Sequence, residues 1–404
     1  MISFAQQPNK YSPVNNPIIF QVSSDNSNIQ YFAVQLTDDE ADIIANLKIY
    51  TTPDNRTGSY TDLSSILSNC VNYQLLPSNN LVEPITNVIQ PYQLTITEKL
   101  YSNGTIIDGT TTTTGIFYAW NGALDKVQFR NFNYPQYVMT TGATSAYFLT
   151  NKPDLIPLNA NSSEYLYFLN DGVANTANIS TYGALGSNTY TVSLSRSTTA
   201  ARIDISPASL TRVFNIDFST VNNFTVQIFD SSNTARSILK NYRYRSEGTL
   251  KYPIEVLFWN RSGGFDSYTF YNTRESVAVT KTNIAKNSFS IDGNGKYTDN
   301  QNGVFNPDNE TINVSSVSTY KAISAALTDY ECIWLKELMQ SAKVFVKLPN
   351  ASFLPVQVNS NSYPVLNSRY TTSLNRLEIE FVASGDAINS TYDDFNDTFS
   401  AIFF

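Results

Sequence analysis

The stretch LFWNRSGGFDSYTF, residues 257–270, sets two aromatic-rich runs on either side of an Arg-Ser-Gly-Gly turn. Phe258 and Trp259 precede the turn, and Phe265, Tyr268 and Phe270 follow it. Side chains alternate along a strand, so Tyr268 and Phe270 face one way and Thr269 the other. Gly263 and Gly264 are placed to supply the positive φ of a tight turn. The favoured reading is a hairpin whose cross-strand aromatic pairs fix register within a core, at about 0.2–1 kcal/mol per pair. A protein interface and a sugar-stacking platform are the other readings of the same residues. The candidate interface set is Phe258, Trp259, Phe265, Tyr268 and Phe270, with the terminal Phe403 and Phe404.

The rest of the chain uses the same grammar. Only 15% of its 404 residues are charged, while 42% are hydrophobic and 13% aromatic. Its polarity comes from 45 asparagines and 85 serines and threonines. Helix surfaces favour long charged side chains, which lose little rotamer freedom there. Asn, Ser and Thr favour turns and strand faces. The expected fold is mainly β: tandem antiparallel, Ig-like β-sandwich domains, followed by a C-terminal β domain carrying one α-helix.

Three sections are expected: 1–120, an N-terminal sandwich; 121–250, a middle β domain or insertion; and 251–404, the C-terminal domain. PIIFQVSS (17–24), IQYFAVQL (29–36) and NLKIYTTP (46–53) read as short strands separated by turn residues. TDLSSILSN (61–69) offers a helical turn or two, opened by Thr61 or Asp62. The run from 91 to 120 reads as a long hairpin turning at Asn103-Gly104. Its threonines at 110–114 suit an edge strand or a loop. In the middle section, YLYFLN (165–170), TYTVSLSRS (189–197), ARIDIS (201–206), FNIDFS (214–219) and FTVQIFD (224–230) read as strands. The convincing helix is 327–343, with Thr328 and Glu331 forming a capping box and Cys332, Leu335, Leu338, Met339 and Ala342 near one face. Strands at 343–349, 353–359 and 375–384 follow it.

The chain contains no histidine. This removes Ser-His-Asp and Cys-His catalysis and the His-based metal sites. Its two cysteines, Cys70 and Cys332, are read as buried free thiols. DGNGK (292–296) reads as a hairpin turn rather than a phosphate loop. The carboxylates Glu378 and Glu380, and Asp393, Asp394 and Asp397, are more readily a solvated strand face and a polar tail than a glycosidase pair. Calcium at 292–300 or 306–310 is a minor reading. No enzyme activity and no cofactor is expected. With a net charge of −8 and no basic stripe, nucleic-acid binding is not expected either. No window is apolar enough for a membrane span, and the first residues do not form a secretory signal.

LFWNRSGGFDSYTF resembles a hairpin of the form L-N-R-x-G-G-W/F-D-x-Y/F-x-F in structural proteins of tailed phages that infect Bacteroidetes. Trp259 stands where Leu is commoner, and Phe265 where Trp is commoner. NPIIFQVSSDN (16–26) with NLKIYTTPDN (46–55) resembles the N-terminal sandwich of that group. WLKELMQSAKVFV (334–346), LPVQVNSNSY (354–363) and LEIEFVASGDAINS (377–390) resemble its C-terminal close. The resemblance implies a tail-tube-like C-terminal domain and a virion tail component: a ring, collar, distal-tail or baseplate protein. It implies copies of the chain in a ring, six or twelve in number, contacts with neighbouring tail proteins, and a location in the virion after synthesis in the host cytoplasm. It implies no catalytic residues. The alternative is a glycan- or receptor-binding adhesin of a phage tail or a cell surface.

Overall fold

The computed structural model describes all residues except 54, 76–78, 185, 247–250, 288, 302, 306, 350–351, 360–374, 384–387 and 390–404. The protein is mainly β, in several sheets with a few short helices. Two compact units are present: Met1–Gly248 with Phe258–Ser267, and Thr249–Leu257 with Tyr268–Phe404.

The first unit holds two sheet pairs, each closed over its own apolar core. In one, a three-stranded sheet (Ile2–Gln6, Ile19–Ser24, Gly58–Asp62) faces a larger sheet. The larger sheet contains Ile29–Thr37, Ile43–Tyr50, Ile89–Ser102, Thr105–Thr113 and Phe117–Trp120. Phe20 and Val22 from the first sheet share a core with Phe32, Val34, Leu36, Leu94 and Ile96 from the second. The alternation IQYFAVQLT makes this possible, because Phe32, Val34 and Leu36 all point inward. The long hairpin turns at Asn103 (φ 50°) and Gly104 (φ 81°), both left-handed as a two-residue turn requires. The threonine run is an edge strand. Thr95 and Thr97 share hydroxyl hydrogen bonds of 3.1 and 3.0 Å with Thr113 and Thr111.

The other pair stacks Val138–Met139, Tyr165–Asn170, Ala200–Asp204 and Val82–Pro84 against a five-stranded sheet. That sheet contains Pro157–Leu158, Thr176–Gly183, Gly186–Ser193, Val221–Phe229 and Lys240–Tyr244. Val82–Pro84 pairs with Ala200–Asp204, so one strand from the first 120 residues completes a sheet built otherwise from 138–204. Phe224, Val226 and Ile228 line one face of their strand and are fully buried. Tyr165–Asn170 is buried at all six positions, which is why it reads as a continuous apolar run. FNIDFS is not a strand. Phe214 ends the helix Pro207–Phe214, Asn215 caps it in the left-handed region, and a 3-10 turn occupies Phe218–Thr220. Pro207 at the start of the helix and Asn215 just past its end are the sequence signals that define it. A further short helix, Lys126–Arg130, is capped by Asp125. The segment 61–69 yields one turn, Ser64–Leu67, whose first amide donates to Asp62 Oδ1 at 3.0 Å.

In the second unit six strands hydrogen-bond in a closed circuit. Around it run Ile254–Trp259, Val344–Lys347, Phe353–Val358, Glu378–Ala383, Asn309–Ile323 and Phe265–Ala285, which returns to Ile254–Trp259. The helix Asp329–Gln340 precedes Val344–Lys347. Thr328 accepts from the Glu331 amide, and Glu331 accepts from the Thr328 amide at 2.7 Å. Cys332, Trp334, Leu335 and Leu338 are buried. Ala342 lies beyond the helix end and is exposed, so the apolar face is shorter than the periodicity suggests. Cys332 is buried, but Cys70 is exposed, three residues past the end of the helical turn Ser64–Leu67. No helix among the described residues is long and apolar enough to cross a membrane.

Replacing Thr328 by Ala removes one half of the capping box. We expect a loss of about 1 kcal/mol in unfolding free energy. Chemical denaturation followed by the near-ultraviolet signal of Trp334 checks it, and an unchanged midpoint would show that the box contributes nothing.

Candidate interaction surface

The hairpin of residues 257–270 is built around its turn. The Asn260 amide donates to Gly264 O at 2.8 Å, and Asn260 Oδ1 accepts from both Gly263 N and Gly264 N, at 3.0 and 3.1 Å. Gly263 alone has positive φ, at 104°. Gly264 is needed for a different reason: a Cβ there would lie 2.7 Å from Leu149 O and 3.0 Å from the Tyr167 ring. The indole of Trp120 donates to Ser262 O at 3.1 Å, so the turn is also held from the other side.

Phe258, Phe265 and Phe270 are buried within the chain, and Tyr268 is nearly so. Trp259 and Phe265 meet edge to face at 5.0 Å, and Tyr73 and Tyr167 join them in the first unit. In the second unit Tyr268 meets Phe270 at 4.9 Å and Trp334 at 6.1 Å. The structure therefore brings the hairpin aromatics together in two groups, each serving a core. Phe403 and Phe404 lie outside the described residues, as do Asp393, Asp394 and Asp397. Glu378 and Glu380 share a strand face, and Glu380 pairs with Lys321 at 2.9 Å.

Beside the turn the first unit holds a sealed ion pair. Lys152 Nζ lies 2.5 Å from Glu164 Oε2, with both side chains almost wholly buried. The ammonium also donates to Ser267 O at 2.8 Å, and Ser267 Oγ donates to Glu164 Oε2 at 2.9 Å. Thr150 Oγ1 donates to Asp266 Oδ1 at 2.6 Å. Lys240 Nζ donates to the Lys152 carbonyl. Burial pushes the Glu164 carboxyl above its usual range, and the Lys152 charge opposes that rise. This set of residues has no local sequence signature, because Asp266 and Ser267 join Thr150, Lys152 and Glu164 from more than a hundred positions away.

What faces outward is a ribbon in the second unit, made by the far ends of Phe265–Ala285 and Asn309–Ile323, the latter also pairing with Glu378–Ala383 at Thr319–Ile323 and with Ile388–Asn389 at Ser315–Ser316. It pairs from Tyr271 opposite Ile323 out to Ala285 opposite Asn309. The strand Ile254–Trp259 has only six residues, so it cannot follow Phe265–Ala285 along the ribbon. Among the described residues, 274–285 bonds to Asn309–Ile323 and leaves its outer edge open. Every residue of 274–285 is exposed. Val277 and Val279, 52% and 53% exposed, share one face across from Ser318 and Ser316. Toward the tip, Ile284, Phe289, Ile291, Tyr297, Val304 and Phe305 are exposed as well. The DGNGK turn lies at this tip, with Asp292 Oδ1 accepting from Asn294 N and Lys296 N at 2.9 and 2.8 Å. No cluster of metal-ligating side chains occurs among the described residues. The alternation of Val277 and Val279 with Ala278 and Thr280 is the sequence signal for this ribbon. It was overlooked because SVAVTKTN carries no aromatic residue.

No family model matches the chain, and no curated protein matches it. Among solved structures it is similar to Salmonella alpha-2-macroglobulin reacted with methylamine, at 8% identity and a TM-score of 0.18, over 90% of this chain and 24% of that one. It is similar to CBD12 from CALX1.2 at 7% identity and a TM-score of 0.17, over 60% of this chain and 99% of that one. Dimeric latent PorU from Porphyromonas gingivalis gives 9% identity and a TM-score of 0.18, over 80% and 32% of the two chains. The chain thus spans about a quarter of the macroglobulin's length.

Glu164→Gln strands the buried Lys152 charge, and we expect a loss of about 3–5 kcal/mol in stability, much of it recovered in a Lys152→Met/Glu164→Leu double variant. Equilibrium unfolding of the three proteins decides this; equal losses in both variants would show that the pair is not coupled. The buried tyrosines set an alkaline limit. Burial pushes Tyr167 up to about 12 from 10.0. Between those values the unfolded chain releases the proton that the folded chain retains. Stability should therefore fall as pH rises above about 10, with tyrosinate absorbance appearing together with unfolding.

Proposed function

We propose that the chain is a structural protein of a phage tail, assembling through protein–protein interfaces into a symmetric ring or a baseplate or connector layer. The observation that carries this reading is the ribbon. Its valines and its aromatic tip stay partly in water within one chain, at about 1 kcal/mol for each half-exposed valine relative to full burial. An open strand edge of this length is a template for pairing with another chain. A second polypeptide that covers the ribbon satisfies both demands together. Repeated by rotation, one such contact closes a ring of identical subunits. The order of the hairpin, helix and strand motifs along the sequence supports the tail assignment, and six or twelve copies is the proposed number. A function by shape and repeated contact also suits a chain whose deeply buried Glu164 is tied to a lysine and a serine.

The test is assembly. The purified chain, alone and with neighbouring tail proteins, should form rings visible by electron microscopy and heavier than a monomer by mass photometry. Val277→Asp/Val279→Asp places two charges on the ribbon face at positions already exposed, so the thermal melt of the monomer should not change while assembly falls at least tenfold. A wild-type chain that stays monomeric at high concentration and forms no ring with its neighbours would remove the proposal.

A further inference from the structure

A concavity in the first unit is far from the ribbon in sequence. It is an open groove of ≈ 680 Å³, lined by the exposed side of the helix Pro207–Phe214 and by the turn that follows it. Its apolar part comes from Ala160, Pro207, Ala208 and Ile216 with Phe218 and Tyr244, whose ring centroids are 5.0 Å apart. Phe218 is buried and Tyr244 half-buried.

The polar groups come from the turn. Asn215 sits at the left-handed cap of the helix, with its amide bonded to Thr211 O at 2.8 Å. Its own carboxamide has no hydrogen-bond partner among the described residues. Asp217 Oδ1 accepts from Ser219 N and Ser219 Oγ, at 3.0 and 2.6 Å. Those two donors hold the carboxylate below its usual range, so it is charged at neutral pH. The lining contains no lysine or arginine.

This chemistry restricts the ligand. An anion would meet Asp217 with no cation to offset the repulsion. A purely apolar molecule would take water from Asp217 and Asn215 and return no hydrogen bond. A neutral sugar ring offers C–H surface to the aromatic pair and hydroxyls to a charged acceptor and a free amide. We propose that this groove binds a neutral oligosaccharide, with Tyr244 and Phe218 as the apolar floor and Asn215 and Asp217 reading ring hydroxyls. The proposal is independent of ring assembly, since it uses none of the ribbon residues.

Isothermal titration of the full chain with maltotetraose, cellotetraose, mannotetraose and tetra-N-acetylchitotetraose tests it. At least one should bind with a Kd of about 0.1–1 mM, as expected for a shallow open site. Two variants place the sugar. Ala208→Trp fills the groove from an exposed helix position, and Asn215→Gly keeps the left-handed backbone while removing the amide. Each should weaken binding at least tenfold without moving the thermal melt, and ring formation by electron microscopy should be unchanged in both. If Ala208→Trp disturbs folding, Asn215→Gly alone decides. No binding of any of the four sugars at about 10 mM overturns the proposal. Binding that both variants leave intact overturns it too, as does tighter binding of a sulfated or sialylated oligosaccharide than of every neutral one.

Discussion

A lysine ammonium sealed away from water must be matched by a carboxylate and by further acceptors, or the surrounding structure opens. In this chain Lys152 meets that condition with Glu164 and with the carbonyl of Ser267. Three remote segments are thereby required to arrive at one point: the loop after Thr150, the start of the strand Tyr165–Asn170, and the hairpin strand through Phe265–Ser267. Gly264 can approach Leu149 because it lacks a side chain, and Trp120 reaches the turn with its indole nitrogen. A polar anchor fixes where the hairpin lies, and the aromatic contacts of Trp259 and Phe265 fill the space around it. An apolar pair of equal volume in place of both charges is expected to hold the same site at little cost.

The two faces of this fold follow different rules. Inside, long alternating strands leave few unpaired backbone groups, and threonine ladders and aromatic pairs set register. Outside, the ribbon departs from the usual protection of strand edges. It has no proline between Glu275 and Ala285, its register shifts fall at Tyr271/Arg274 and Thr282/Asn283, and Lys281 is the only charge between Glu275 and Ala285. Natural edges carry such features to prevent pairing. They are absent across Ser276–Thr280, which is the stretch where the proposed partner would pair.

Much of the fold was legible in the sequence because strand period and turn chemistry are local. Asn103-Gly104 required a two-residue turn, and Phe224, Val226 and Ile228 stated which face is buried. Thr328 with Glu331 marked where the helix begins. FNIDFS was misread because its alternating Phe214, Ile216 and Phe218 mimic a strand, while Pro207 and Asn215 already bounded a helix. Gly263 and Gly264 looked equivalent, yet one serves backbone geometry and the other close approach, a distinction that needs Leu149 in view. The Lys152–Glu164 pair could not be read at all, because nothing in either neighbourhood signals that the two side chains meet. The groove at Asn215 and Asp217 was hidden for a similar reason, since Tyr244 completes it from about thirty residues away.

The chain enters the second unit after Gly248, returns to the first for Phe258–Ser267, and leaves it again. No single cleavage of the backbone can therefore release both parts whole. A fragment ending near 250 would lack Ser267, and with it a ligand of the Lys152 ammonium. A fragment beginning near 268 would lose the first strand of its closed circuit. Limited digestion should accordingly trim surface loops without liberating two folded halves, and a shortened chain keeps one part whole only if it carries the crossing segment of the other along with it.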